Sequence, residues 1–303
     1  MTASPTTQFH PPRTEAVVTA PAAGARRRGT LARYWRSNQV RWGIALLVIT
    51  VLVALVGPLI APYDPTKTVG APYQAPNGDM LLGTDRIGRD VLSRVLHGGL
   101  GLLWMAPAAT VLGVFIGTCI GLIAAYRGRG TDTALMRVMD VLLAFPGIIL
   151  ALLFVSMFGS SLWLLVLLTA LILMPGVARV MRGATLPLNT REFVLWGRAV
   201  GLPARTILFR EILPNITSPL LVEFGVRLMW SIGILATMSF LGYGIEPPTP
   251  DWGRMVSENQ TGMAIQPYSV IAPIVCIIVF TVGGNLVAEG AARVIARTEG
   301  KSA

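Results

Sequence analysis

Apolar residues gather along this chain into long charge-free runs, joined by short basic or Gly- and Pro-rich connections. Trp42 to Tyr63 and Val95 to Tyr126 carry no charged side chain, and neither does the longer run from Val141 to Ala178. A hydrocarbon layer about 30 Å thick needs roughly 20 apolar helical residues. The first two runs therefore hold one helix each and the third holds two, divided at Phe158-Gly159-Ser160-Ser161, where small and polar residues suit a tight turn. Thr217 to Tyr243 reads as a further span with Glu223 and Arg227 inside it, and Asn259 to Ala288 holds the last. The pattern predicts an all-α integral membrane protein with six transmembrane helices, at about 42–61, 102–126, 136–157, 161–179, 217–241 and 268–288.

Composition agrees: 53% hydrophobic and 13% charged residues give a mean hydropathy of +0.63, too apolar for one water-soluble core. Cys119 and Cys276 both lie in apolar runs, which excludes a disulfide framework, and His10 and His97 have no neighbours at metal-ligand spacing. The net charge of +10 would suit nucleic acid, but its distribution points elsewhere. Six spans place both termini on one side. That side collects 19 of the 25 Lys and Arg, whereas the other holds Lys67, Arg86, Arg89, Arg94 and Arg254. The positive-inside rule then puts both termini in the cytoplasm and accounts for the charge without nucleic acid.

The chain divides into a disordered basic cytoplasmic tail over 1–40 and a first transmembrane helix over 41–62, an uncleaved anchor rather than a signal peptide. An external loop over 63–101 follows, then a five-helix core over 102–290 and a cytoplasmic tail over 291–303. The core holds a cytoplasmic loop over 180–215 and an external loop over 242–267.

Three connections carry enough pattern to suggest work. Before the second span, Thr84 or Asp85 can cap a short helix in which Asp85 with Arg89 and Arg86 with Asp90 fall at i,i+4. This is either a surface helix on the outer leaflet or a gate or docking surface formed by Asp85, Arg89 and Asp90. In the cytoplasmic loop, Phe193, Trp196 and Val200 fall at i, i+3, i+7 on a short amphipathic helix over about 191–200. Gly201-Leu202-Pro203 turns the chain into a second helix over about 204–213. The segment is either membrane-hugging or a protein-docking knob. In the external loop after the fifth span, the prolines Pro247, Pro248 and Pro250 stiffen an extended stretch that carries no chemistry of its own.

Four strings occur in order: Gly83-Thr84-Asp85 with Gly88-Arg89-Asp90; Met136-Arg137-Val138-Met139-Asp140 with Leu143-Ala144-Phe145-Pro146; Ile212-Leu213-Pro214-Asn215; and Pro247-Pro248-Thr249-Pro250-Asp251-Trp252-Gly253. Together they resemble the second, C-type permease subunit of the dipeptide, oligopeptide and nickel class of bacterial ABC importers, over residues 40 to 290. The resemblance implies the type I ABC importer permease fold and an inner-membrane, non-catalytic subunit forming half of a path for peptides. Its implied partners are a second homologous permease in a heterodimer, one or two cytoplasmic ATPases, an extracytoplasmic solute-binding protein and the lipid bilayer. ATP and Mg would sit on the ATPases and no cofactor on this chain, which has no phosphate loop of its own.

The family couples to its ATPase through Glu-Ala-Ala, three residues, then Gly. Here Gly201 matches the Gly, while Leu195-Trp196-Gly197 stands where the family has Glu-Ala-Ala. The resemblance assigns coupling to Trp196, Arg198, Ala199, Val200, Gly201, Leu202 and Arg205, with Trp196 an apolar anchor and Arg198 and Arg205 a polar rim. Glu223 and Arg227, an i,i+4 pair inside a span, are the candidates for the translocation path, whereas Asp140 reads as structural beside Arg137. An ion- or proton-coupled secondary transporter of small solutes is the rival reading, and nickel chelates or another solute the alternative cargo.

Overall fold

Charge-free runs can satisfy their backbone N–H and C=O groups in hydrocarbon only as helices. The long runs are all helical in a computed structural model, which describes residues 38–299. Most of the expected N-terminal tail lies outside the described residues. In chain order the helices are α1 (Asn38–Ile60), α2 (Val91–His97), α3 (Leu100–Arg127), α4 (Arg129–Ala144), α5 (Gly147–Phe158) and α6 (Leu162–Thr185). They continue with α7 (Glu192–Ala199), α8 (Thr217–Met238), α9 (Trp252–Asn259) and α10 (Tyr268–Glu299). Among the described residues there is no strand, only isolated bridges pairing Thr68 with Arg89 and Thr84 with Asp90.

Helices α1, α3, α6, α8 and α10 are each long and apolar enough to cross a membrane, and α4 with α5 makes a sixth crossing if the pair is one span. That pair corrects the single helix expected over 136–157, because it is two helices that bend by 80° at Phe145-Pro146. The proline ring crowds the preceding residue out of the helical region, so Phe145 is extended at φ −90°, ψ 134°, and Pro146 has no N–H to carry a ladder onward. The expected break before α6 is present: Gly159 turns at φ 80° and the Ser161 side chain caps α6 by accepting from the Leu164 N–H at 3.2 Å. At the far end, α10 runs past the expected limit at 288 as far as Glu299.

The core is organised by α3 and α6. Lipid tails are as apolar as leucine, so helices associate in a membrane through close packing rather than through a hydrophobic drive. Gly113, Gly117 and Gly121 recur every fourth residue of α3 and face α6. A Cβ on them would come 3.0, 2.7 and 2.6 Å from the carbonyl oxygens of Ala170, Met174 and Ala178. Only bare backbone lets these helices meet so closely. α8 closes on α3 through the Thr110 and Ser231 hydroxyls, 2.8 Å apart, both also bonded to the Ala106 carbonyl. α1 lies against α10, where the Gly290 position is filled by Val40.

The glycine seam gives the first prediction. Gly117→Val should lower the thermal unfolding midpoint of the detergent-solubilised protein by an amount equivalent to about 1–3 kcal/mol of overpacking. Gly130→Ala, where a Cβ meets nothing within 4 Å, should leave it unchanged or raised. Equal effects at the two positions would show that the seam does not depend on the missing side chains.

Candidate functional site

Successive crossings alternate, so the segments over 61–99 and 244–267 lie at one end of the bundle and the loop over 186–216 at the other. At the first end, the residues from Thr84 to Asp90 do not form the expected helix; α2 begins at Val91, capped by Asp90, whose side chain accepts from the Ser93 N–H at 2.7 Å. Gly83 and Gly88 adopt positive φ of 69° and 80° and set Asp85 inside a turn. There Asp85 and Arg89 pair at 2.7 Å, while Arg86 and Asp90 do not pair. Arg94 joins the same Asp85 oxygen from above, and Arg89 and Arg94 both bond Glu258 of α9, at 2.9 and 3.0 Å.

The result is a closed ring of two acids and two bases with almost no solvent access to Asp85, Arg89 or Arg94. Burial works against the Asp85 charge, but the Arg89 N–H, the two guanidiniums and the Ile87 N–H outweigh it and hold the carboxyl below its ordinary range. Around the ring, Asn259 accepts from the Arg86 N–H at 3.0 Å, and the Trp252 indole donates to the Val95 carbonyl at 2.8 Å. Gly98 and Gly99 leave room for that indole ring. Asp251 caps α9 by accepting from the Arg254 N–H at 3.1 Å and also accepts from the Ser239 hydroxyl; burial pushes its carboxyl up. Asp85, Arg89 and Asp90, expected at an external gate or docking surface, are thus interior to this layer. A partner could touch their side chains only if the layer opened.

Three ion pairs stand along α6 and its neighbours. Glu223 and Arg227 on α8 pair at 2.9 Å as their spacing predicts, and the Arg227 guanidinium rests over Gly176 of α6. Asp140 of α4 pairs not with Arg137 but with Arg179 of α6, at 2.5 Å. Asp132 and Arg182 form a two-pronged pair at 2.5 and 2.6 Å. Among the described residues, no group of three or more His, Cys, Asp or Glu is arranged to hold a metal ion.

At the other end, the loop is a folded unit. α7 stops in a complete glycine turn: the Gly201 N–H donates to the Arg198 carbonyl at 3.1 Å and the Leu202 N–H to the Gly197 carbonyl at 2.9 Å, with Gly201 at φ 76°. This is the arrangement that satisfies the last carbonyls of a helix. The expected second helix is irregular, one α turn over Ala204–Thr206 followed by a wider π segment over Ile207–Ile212. Val194, Ile207, Leu208, Ile212 and Ile216 pack with Leu122 of α3 and Val177 and Met181 of α6. The loop is therefore fastened to the seam helices by a core of its own.

The stripe of Trp196 and Val200 is left out of that core, with Trp196 65% exposed and Leu195 and Val200 about half exposed. Ala199 and Gly201 are exposed beside them, as is Arg205, while Leu202 is partly covered. Arg198 turns back instead, its guanidinium 4.5 Å above the Tyr126 ring at the end of α3. A Cβ on Gly197 would make ordinary contacts of 3.5 Å with Ile207 and Leu202, so the buried position would take alanine without strain.

Sequence reasoning met Trp252 only as part of a family string and missed Glu258; both complete the charged layer from far along the chain. It also missed the glycine spacing on α3, which was visible as a four-residue repeat of small residues.

Residues 117–298 match the family described as "Binding-protein-dependent transport system inner membrane component", and residues 28–79 match the "N-terminal TM domain of oligopeptide transport permease C". The chain is similar to the glutathione transport system permease protein GsiD of Pectobacterium atrosepticum, at 36% identity over 246 residues, covering 80% of this chain and 82% of that protein. It is similar also to GsiD of Shigella dysenteriae serotype 1, at 36% over 260 residues, covering 85% and 86%.

The buried ring yields the second prediction. Because the Asp85 pKa is lowered in the folded protein, its contribution is complete above the unfolded carboxylate range near pH ~4 and is lost as pH falls through the folded value. Asp85→Asn should destabilise the protein at pH 7 by about 3–5 kcal/mol, the usual result of leaving buried charges unpaired. In thermal unfolding the gap between Asn variant and parent should narrow below about pH 4. A gap independent of pH would mean that shape, not charge, holds the ring.

Proposed function

Since the chain belongs to the family of binding-protein-dependent transport system inner membrane components, we propose that it is one of two unlike permease subunits that together enclose the solute path of an ATP-driven importer. It is a multi-pass inner-membrane protein of the ABC transporter permease type, and its role is mechanical. In this reading both termini and the 186–216 loop face the cytoplasm, in keeping with the 19-to-5 division of basic residues. ATP and Mg belong to partner ATPases, and a binding protein delivers solute to the charged layer at the other end.

The single observation that carries the proposal is the bare apolar knob of Leu195, Trp196 and Val200 on a loop that is otherwise firmly packed. A bare aromatic beside further exposed apolar residues on a packed loop suits a partner that covers it, and such aromatic anchors commonly dominate an interface. Closure of the ATPase dimer on nucleotide would push the loop as a rigid body. Its core on Leu122, Val177 and Met181 passes that displacement to α3 and α6, and the spans rock between outward- and inward-open arrangements. Glu223 and Arg227 stand on α8, beside α6, at a depth where charge is functional by default. The cargo best supported is a small peptide: the relatives are named for glutathione, a tripeptide with free carboxylates, and the resemblance over the N-terminal segment is to oligopeptide permeases.

The third prediction concerns the knob. Trp196→Ala should leave the subunit's own thermal stability unchanged, because the side chain is free, yet weaken ATPase binding by about 2 kcal/mol, near thirtyfold, in co-purification titrations. A cysteine replacing Ala199 should crosslink to a cysteine in the ATPase groove in a nucleotide-dependent way. An assembled complex with no such crosslink, and undiminished binding by the alanine variant, would sink the assignment.

A further inference from the structure

We propose that the face of α6 bearing Gly176 and Arg179 lines the inner half of the solute path, and that the open fork of Arg227 over Gly176 is a subsite for a solute carboxylate, followed by Arg179 one turn further on. The proposal deepens the permease reading above and rests on it.

Arg227 lies ten residues into α8, about 15 Å along the axis from Thr217 at 1.5 Å per residue. That is the middle of a hydrocarbon layer about 30 Å thick, where a cation must face water, a counter-charge or protein. Its Nε donates to Glu223 at 2.9 Å, and among the described residues this is the guanidinium's one hydrogen bond. The two Nη atoms stand over Gly176, where a Cβ would come within 2.8 Å of Nη2 and 3.1 Å of Nη1. Any larger residue at 176 would displace the fork, and the side chain keeps 19% of its surface exposed.

Arg179 follows three residues later on α6, a rise of about 4.5 Å. It donates to Asp140 through Nη2 alone, and the two side chains remain 51% and 48% exposed. Arg182, three residues further, shows what a purely structural clamp looks like here: both prongs engage Asp132. Arg227 and Arg179 are each held by one prong and keep donors in reserve. For Arg227 an N–H without an acceptor at this depth is strongly unfavourable, so water or solute must supply the acceptor.

A planar guanidinium edge with two parallel donors matches a carboxylate better than any other common anion-bearing group of a peptide. The neighbouring Glu223 and Asp140 carboxylates partly balance the cations, which keeps the anion exchangeable, and they offer acceptors to an ammonium group. The site thus suits a zwitterionic or anionic solute moving from Arg227 toward Arg179.

The test uses the assembled transporter in membrane vesicles, with Cys119→Ser and Cys276→Ser. Reporter cysteines are introduced as Val180→Cys, which leaves every ion pair intact, and as Asp140→Asn with Arg179→Cys. Each is reacted with carboxyethyl and with trimethylammonioethyl methanethiosulfonate. Both reagents should label the reporters, and the carboxylate reagent should be favoured by about tenfold relative to a free thiol, the focusing expected of a charged cleft. In the Arg179→Cys reporter, where both guanidiniums are then absent, Arg227→Gln should return that preference to the free-thiol ratio, and at Val180→Cys it should lower it. The proposal is overturned if neither reporter labels, with or without ATP, while Gly130→Cys, exposed at the same end of the bundle and outside the docking loop, does. It is equally overturned if a preference persists unchanged in Arg227→Gln. Labelling requires no ATPase docking, so its failure leaves the crosslinking result at Ala199 standing, and the reverse also holds.

Discussion

Everything else in this protein hangs on how closely α3 and α6 approach. In hydrocarbon the packing of backbone on backbone replaces the hydrophobic effect as the source of helix association, and Gly113, Gly117 and Gly121 lay α3 against the carbonyls of α6. α6 is also the helix that carries Gly176, Arg179 and Arg182, and whose Val177 and Met181 receive the loop core. Seam, ion pairs and loop therefore share one rigid member. A displacement applied at the loop reaches the charged residues through packed side chains rather than through a flexible linker.

The two ends of the bundle are held by different physics. Around Asp85, Arg89, Arg94 and Glu258 a buried charge ring and the Trp252 indole join segments more than 150 residues apart. Such a ring tolerates little deformation, since separating any partner leaves an uncompensated charge out of water. The loop end is held by apolar side chains and a π segment, interactions without strong direction. A stiff charged layer at one end and a less directional apolar core at the other suit the rocking proposed above.

The spans were legible because twenty apolar residues without charge have one structural solution. The glycine turn at Gly201 was legible for a similar reason, a helix ending in a residue that alone takes positive φ freely. The charged string at 84–90 was legible only as chemistry. Asp85 and Arg89 satisfy i,i+4 spacing in a helix, yet they meet in a turn, and the Glu258 that completes their ring leaves no local trace near them. The bend at Phe145-Pro146 was written in the proline but hidden by the unbroken hydrophobicity around it. Asp140 illustrates the remaining limit: Arg137 is its neighbour in sequence, while Arg179 is its partner in space.

The uncovered tryptophan at 196 has a consequence for biogenesis. A copy made ahead of the partners proposed above would display an adhesive knob to other surfaces in the cell, since none of the described residues hides it. In the proposed assembly, balanced synthesis with the ATPase, or prompt destruction of unmatched copies, follows as a requirement of keeping that knob exposed. In that assembly the same indole makes a natural checkpoint, because docking of the ATPase removes it from view.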